Sequence, residues 1–193
     1  LCKKYDVTLF EKNSKFGGHA NTVEIDISGK KFNIDTGFIV YNEFNYPNLT
    51  SLFKELHIPT KSSNMSFGFS SGCGSLEYSG SSLSGIFAKR RNLFNLTFLS
   101  GMREILRFNR DAPTEMDLGR LRNLSLGDYL TRHKHGKWFT ENFILPMGGA
   151  IWSSPANDIL DFPAENFVSF FRNHGLLAGL GASYPWRTVA GGS

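Results

Sequence analysis

The stretch LFEKNSKFGGHANT, Leu9 to Thr22, places a carboxylate at the end of an apolar run and two adjacent glycines just behind it. Val7 to Phe10 is short, apolar and β-prone, which predicts a buried parallel strand ending at Glu11. A doubly wound nucleotide-binding domain uses such an acid, at the end of its second strand, to accept hydrogen bonds from ribose hydroxyls. The G-x-G-x-x-G turn of that fold lies about 20 residues before the acid, so on this reading the glycine fingerprint lies upstream of Leu1. Gly17 and Gly18 let the backbone approach a phosphate or sugar with no Cβ in the way. Lys15 adds positive charge near the nucleotide's phosphates, and Thr22 can hydrogen-bond as the chain returns to a strand. A plain surface turn uses the same residue types, so the rest of the chain must weigh in.

Working outward, NTVEIDISGKKFNID alternates in the manner of strands, with Ser28-Gly29 as the turn of a hairpin. Asp35-Thr36-Gly37 leads into FIVYN, a further apolar strand or strand edge. Leu49, Leu52, Phe53 and Leu56 mark one face of a helix from about Tyr46 to Leu56. His57-Ile58-Pro59 ends it, because proline disfavours helical geometry in the residue before it. NMSFGFSSGCGSLEYSG has the short runs and Gly/Ser turns of a second hairpin. Beyond Leu83 the periodicity becomes helical. Leu96, Leu99, Met102, Ile105 and Leu106 predict a helix over about 95–109, Ser125 caps the next, and PAENFVSFFRNHG runs from Pro163 to a Gly175 stop. The expected class is α/β. Residues 1–82 read as a partial doubly wound dinucleotide-binding domain with β-hairpins, and 83–193 as a helix-rich segment of a substrate domain.

Composition narrows the function classes. The 193 residues include 18 Phe against 3 Trp and 6 Tyr, so the aromatic surface is mostly apolar and suits a large core ahead of a pocket for a greasy ligand. The net charge of +4 lacks the dense basic stripe of a nucleic-acid binder. Cys2 and Cys73 make no metal spacing or disulfide framework, and a reducing, cytoplasmic setting is the default. His133-Lys134-His135 reads as a solvated helix end, so no metal site is expected. His174 reads as a helix C-terminal residue favoured by the dipole, and Met147 and Trp152 as core. Lys89-Arg90-Arg91 beside LFNLTFL fits a solvated helix face or contact with a membrane surface, and the solvated face is the default. Leu1 in place of Met, the helix-tail character of LCKKYD and the glycine turn in WRTVAGGS predict a piece of a longer protein.

Glu11, Lys15, Gly17-Gly18, His19 and Thr22 together resemble the E-x-x-x-R-x-G-G-R-x-x-T segment of flavin-containing amine oxidoreductases. That broad family includes monoamine and polyamine oxidases, protoporphyrinogen oxidase and phytoene desaturase. Asp35-Thr36-Gly37-Phe38 resembles the family's D-x-G segment, which runs beside the flavin. LPMGGAIWSSP, FPAENFVSFFRNHGLL and PWRTVAGGS are similar to a bacterial subgroup described as predicted NAD/FAD-binding proteins. Lys15 and His19 stand where the family has arginines, and a lysine is a point charge, not a planar fork.

The resemblance implies bound FAD, covalent or non-covalent, and oxidation of a C–N or C–C bond in an apolar or amine small molecule by hydride transfer to the flavin. Protein residues would position the ring and exclude water, so no Ser-His-Asp set is expected. Tyr41 and Asn42, just past the D-x-G segment, are candidates for a flavin or substrate wall, or else strand-end residues that satisfy local backbone. A different class, a lipid- or partner-binding module that keeps the fold without flavin, is the alternative. Without the upstream fingerprint, the 193 residues alone are expected to hold FAD weakly and to pack softly around Val7–Phe10.

Overall fold

The computed structural model of the chain describes residues 1–177 and 184–193. In chain order the first elements are β1 (Thr22–Ile27), β2 (Lys30–Asp35), β3 (Tyr41–Asn42), α1 (Pro47–Glu55) and β4 (Thr60–Ser63). A hairpin of β5 (Gly68–Ser71) and β6 (Leu76–Ser79) follows, then α2 (Leu83–Ile86), a 3-10 turn (Arg90–Phe94) and α3 (Leu96–Asp117). The remaining helices are α4 (Leu126–Arg132), α5 (Lys137–Phe139), α6 (Leu145–Trp152), α7 (Ala156–Asp161) and α8 (Ala164–Asn173), and the last strand is β7 (Trp186–Val189). This is a mixed α/β chain with small antiparallel sheets followed by a helical part. It divides into two compact units, residues 1–64 with 185–193, and residues 65–184. The division falls before the β5–β6 hairpin, ahead of the composition change near residue 83, because Tyr78 of β6 packs into the helical unit's aromatic cluster with Phe98 and Trp138.

In the first unit, β1 and β2 pair antiparallel in a register that sets Thr22 opposite Asp35 and Ile25 opposite Phe32. Ser28 and Gly29 both have positive φ, 56° and 81°, the geometry whose twist matches a two-residue hairpin. Asp26 Oδ1 accepts the Gly29 amide at 2.8 Å and holds the turn. Strand alternation puts Val23, Ile25, Ile27, Phe32 and Ile34 on one face. Glu24 and Lys31, off that face, pair at 2.7 Å. A second, three-stranded antiparallel sheet has the order β3-β7-β4, so the latest strand in the chain is the central one.

Two expectations for this unit are corrected. Val7–Phe10 belongs to no ladder, and Phe10 is 91% exposed. A parallel strand needs hydrogen-bonded neighbours on its flanks, and among the described residues none lies beside it. In α1 the periodic leucines do not form a buried stripe: Leu52 and Leu56 are exposed, and Thr50 is the helix's buried residue, its hydroxyl donating to Tyr46 O at 2.9 Å.

The helical unit holds the phenylalanine core. Phe108, Phe139, Phe167 and Phe171 are fully buried with Leu126, Tyr129, Ile144, Ile159 and Val168. Phe167 stacks on Phe171 at 4.3 Å, and Phe108 meets Phe139 at 5.5 Å. Met147 is buried in this core and Trp152 packs against it. Each such ring removes on the order of 150–250 Å² from water, which accounts for the phenylalanine excess in this half.

Helix α3 extends to Asp117, through Pro113, because its far end carries Ala112 and Met116 into the same core. Ser125 caps α4 by accepting the Asp128 amide at 3.0 Å. From Lys137 to Trp152 the helix is continuous, with a π-helical turn at Thr140–Ile144 just before Pro146. Proline has no N–H for the carbonyl four residues back. That carbonyl belongs to Asn142, and it accepts the Tyr78 hydroxyl at 2.6 Å.

Candidate functional site

Beyond the Thr22–Asp35 pair the two hairpin strands keep running side by side as loops. The Thr36 amide donates to Asn21 O at 2.9 Å, and the Phe38 amide to His19 O at 2.9 Å. Asn21 Nδ2 donates to Thr36 Oγ1 at 2.8 Å, cross-linking the same pair. The open end of one hairpin thus brings Gly17-Gly18-His19 and Thr22 against Asp35-Thr36-Gly37-Phe38, two segments 13 to 21 positions apart in the chain. Glycine is required here. Gly17 has φ 120° and Gly18 φ 57°, and a Cβ on Gly37 would overlap the His19 carbonyl. Nothing lies within 4 Å of where a Gly18 Cβ would stand, so that backbone is open to a ligand.

Asp35 sits at the junction. Its Oδ1 is 2.6 Å from the Thr22 hydroxyl and accepts the Ser193 amide at 2.9 Å and the Ser193 hydroxyl at 3.2 Å. The Thr22 hydroxyl bond and then the Ser193 amide hold this carboxyl below its ordinary value of 3.8; burial opposes them, and the Ser193 hydroxyl and the field of Lys61 add smaller lowering effects. The Thr22 hydroxyl also lies 2.9 Å from Ser193 O, and Asn33 Nδ2 donates to Gly191 O at 2.7 Å. Gly191-Gly192-Ser193, with φ of 92° and 108° at its glycines, is therefore a third loop at this site. Sequence reasoning missed it as a site element; its signal was the Gly-Gly-Ser run itself.

The remaining candidates lie apart from that junction. Glu11 is exposed in its loop, where Oε1 accepts the Asn13 amide at 2.8 Å, and Lys15 is exposed. Phe38 stacks on Tyr41 at 6.3 Å, and Tyr41 meets Phe53 edge-on at 5.3 Å. Asn42 is fully buried and accepts the Asn45 amide through Oδ1 at 2.8 Å, while its Nδ2 has no partner among the described residues. Tyr41 also lines an open cavity of about 460 Å³ with Glu43, Phe53, Lys54, His57 and Arg187. Arg187 donates to Thr60 Oγ1 at 2.8 Å and pairs with Glu43 at 3.5 Å, so those charges largely satisfy one another.

In the helical unit the His133-Lys134-His135 reading needs correction. The His135 side chain is 2% exposed, stacked on Phe139 at 4.8 Å, with Nδ1 3.1 Å from Arg107 Nη2 and 3.3 Å from Glu104 Oε2. Burial, then the Arg107 charge, lowers its pKa from 6.5, against the pull of Glu104. No group of three or more metal-ligating side chains is assembled among the described residues, and none of their helices is long and apolar enough to cross a membrane.

Gly17, Gly18 and Gly37 thus gather with the Gly191–Ser193 turn at the open end of one hairpin, around the Asp35 carboxylate. Residues 1–56, which contain both loop segments and Glu11, match the family model described as an NAD(P)-binding Rossmann-like domain. No curated protein matches the chain. The N-terminal part of the chain is thus similar to Rossmann-like NAD(P)-binding domains.

Proposed function

We propose that the chain is part of an FAD-dependent oxidoreductase of the amine oxidase and desaturase kind, which passes a hydride from an apolar or amine substrate to the flavin. The observation that carries the reading is the side-by-side course of Gly17–Thr22 and Asp35–Phe38 inside the span that matches the Rossmann-like model. The residues fit such a group. The open backbone at Gly18 leaves room for a ligand, and Glu11 has a carboxylate exposed to accept ribose hydroxyls. FAD, when bound, supplies the electron sink; the chain positions and shields it.

In this reading Glu11 takes the ribose, and Lys15, Gly17, Gly18 and His19 lie toward the phosphates. Thr22, Asp35, Thr36, Gly37 and Phe38 fix the loop beside the ring, with Tyr41 and Asn42 behind it. Charge-assisted hydrogen bonds contribute on the order of 1.5–3 kcal/mol each. In the full-length protein Glu11→Ala should weaken FAD binding at least about tenfold, read by flavin fluorescence titration. A colourless full-length protein that takes up no FAD would instead favour the module without flavin, and flavin held at unchanged affinity in Glu11→Ala would make Glu11 an ordinary loop acid.

A further inference from the structure

Between Tyr78 and Arg103 the sequence carries four cations, Lys89, Arg90, Arg91 and Arg103, and no carboxylate. The same stretch holds the most exposed large apolar side chains of the helical unit: Phe94 is 87% and Leu96 81% exposed, with Leu93 and Leu83 also exposed. These residues sit on a braced scaffold. Asn92 is buried and donates through Nδ2 to Glu77 O at 3.2 Å, Arg91 donates to Ser75 O, and Lys89 pairs with Glu77 at 3.4 Å. Asn95 then caps α3 by accepting the Phe98 amide at 3.1 Å. The 3-10 turn is thus tied to the β5–β6 hairpin from behind, while Leu93, Phe94 and Leu96 face water at its exit.

The charge pattern identifies the partner. Arg90 and Arg103 pair with no carboxylate among the described residues. Arg103 follows Leu96 by seven positions, two turns along the same side of α3, and exposed Leu106 continues that side until the Arg110–Asp111 pair closes it at 2.6 Å. Apolar tips flanked by unpaired arginines match the interfacial region of a bilayer, where rings and aliphatic chains enter below headgroups whose phosphates take the cations. A stable protein interface buries about 800 Å² of total surface per side, spread over some twenty or more residues, whereas here three or four apolar side chains project.

We infer that the Arg90–Leu96 turn with the outer side of α3 is a docking surface for an anionic lipid membrane. The test is co-sedimentation of the chain with vesicles of phosphatidylcholine alone and of phosphatidylcholine mixed with phosphatidylglycerol. The chain should partition onto the mixed vesicles and only weakly onto the neutral ones. Phe94→Ser with Leu96→Ser should lower partitioning at least about tenfold, well under what full burial of two such side chains would give. Arg90→Gln and Arg103→Gln should each lower it about fivefold, as should raised salt. All four positions are exposed, and circular dichroism of each variant checks that the fold is kept. Equal binding to both vesicle types, binding untouched by the Phe94 and Leu96 changes, or no binding to either would overturn the inference.

Discussion

Gly37 passes so close to the His19 carbonyl oxygen that no side chain fits between them, and the Phe38 amide donates to that same oxygen at 2.9 Å. The contact closes the gap between the two candidate cofactor loops. Gly37→Ala must push them apart, and backbone, unlike the end of a flexible side chain, yields only at a cost of about 1–3 kcal/mol. The expected outcome is loss of the Phe38 amide's protection from hydrogen exchange, with the helical unit's amides unchanged. Full protection in Gly37→Ala would show that the loops tolerate a methyl group here.

Thr22 and Asp35 offer a test of the junction itself. The hydroxyl bond is the largest influence lowering the Asp35 carboxyl, so Thr22→Val should raise its titration toward the ordinary value. Because the folded pKa is depressed, the stability this carboxyl contributes is present above the unfolded value of about 3.8 and is lost as pH falls through the folded one. Carboxyl carbon NMR of both forms reads the shift directly; an unchanged Asp35 titration in Thr22→Val would remove the hydroxyl from this role.

Tyr78 compensates for a proline. Its hydroxyl serves the Asn142 carbonyl that Pro146 leaves without an amide donor, and burial pushes its own pKa up. Tyr78→Phe keeps the ring contacts with Phe98 and Trp138 and strands the carbonyl, which should cost about 1–3 kcal/mol. Urea unfolding followed by tryptophan fluorescence measures this, and a loss under about 0.5 kcal/mol would mean another donor serves Asn142.

His135 gives a pH dependence. One nitrogen, Nδ1, faces two partners with opposite demands: it accepts from Arg107 when neutral and donates to Glu104 when protonated. His133 lies nearby, its Nε2 4.0 Å from Glu115. Since burial and Arg107 depress the folded pKa, His135 favours the folded state above about pH 6.5 and disfavours it as pH falls. Replacing it by Gln should flatten the stability profile below that pH, by up to about 1.4 kcal/mol for each pH unit and proton. Equal slopes in wild type and His135→Gln between pH 5 and 6.5 would refute this.

How much of this was legible in the sequence depended on range. The Ser28-Gly29 turn and the Ser125 cap were readable because each is decided by residues within three or four positions of it. The hairpin between the two loop segments was also readable, since strand alternation and a two-residue turn fix its register. What buries His135 was not: Glu104 and Arg107 reach it from a helix some thirty residues earlier, while its sequence neighbours Arg132 and Lys134 look solvated. Val7–Phe10 shows the converse, a run with strand composition whose ladder no local pattern supplies. The third loop, Gly191–Ser193, joined the site through Asp35 across 158 positions, a distance at which composition carries no register.

The strand Trp186–Val189 lies between two strands that precede it by more than a hundred residues, its Arg187 side chain reaching Thr60 across 127 positions. On a ribosome, β3 and β4 therefore emerge long before their shared partner and wait with open edges. The intervening 65–184 unit has its own aromatic core and can close during that wait. The β3-β7-β4 sheet cannot be completed until Trp186–Val189 has been made, whereas the β1–β2 hairpin needs no residue beyond Asp35.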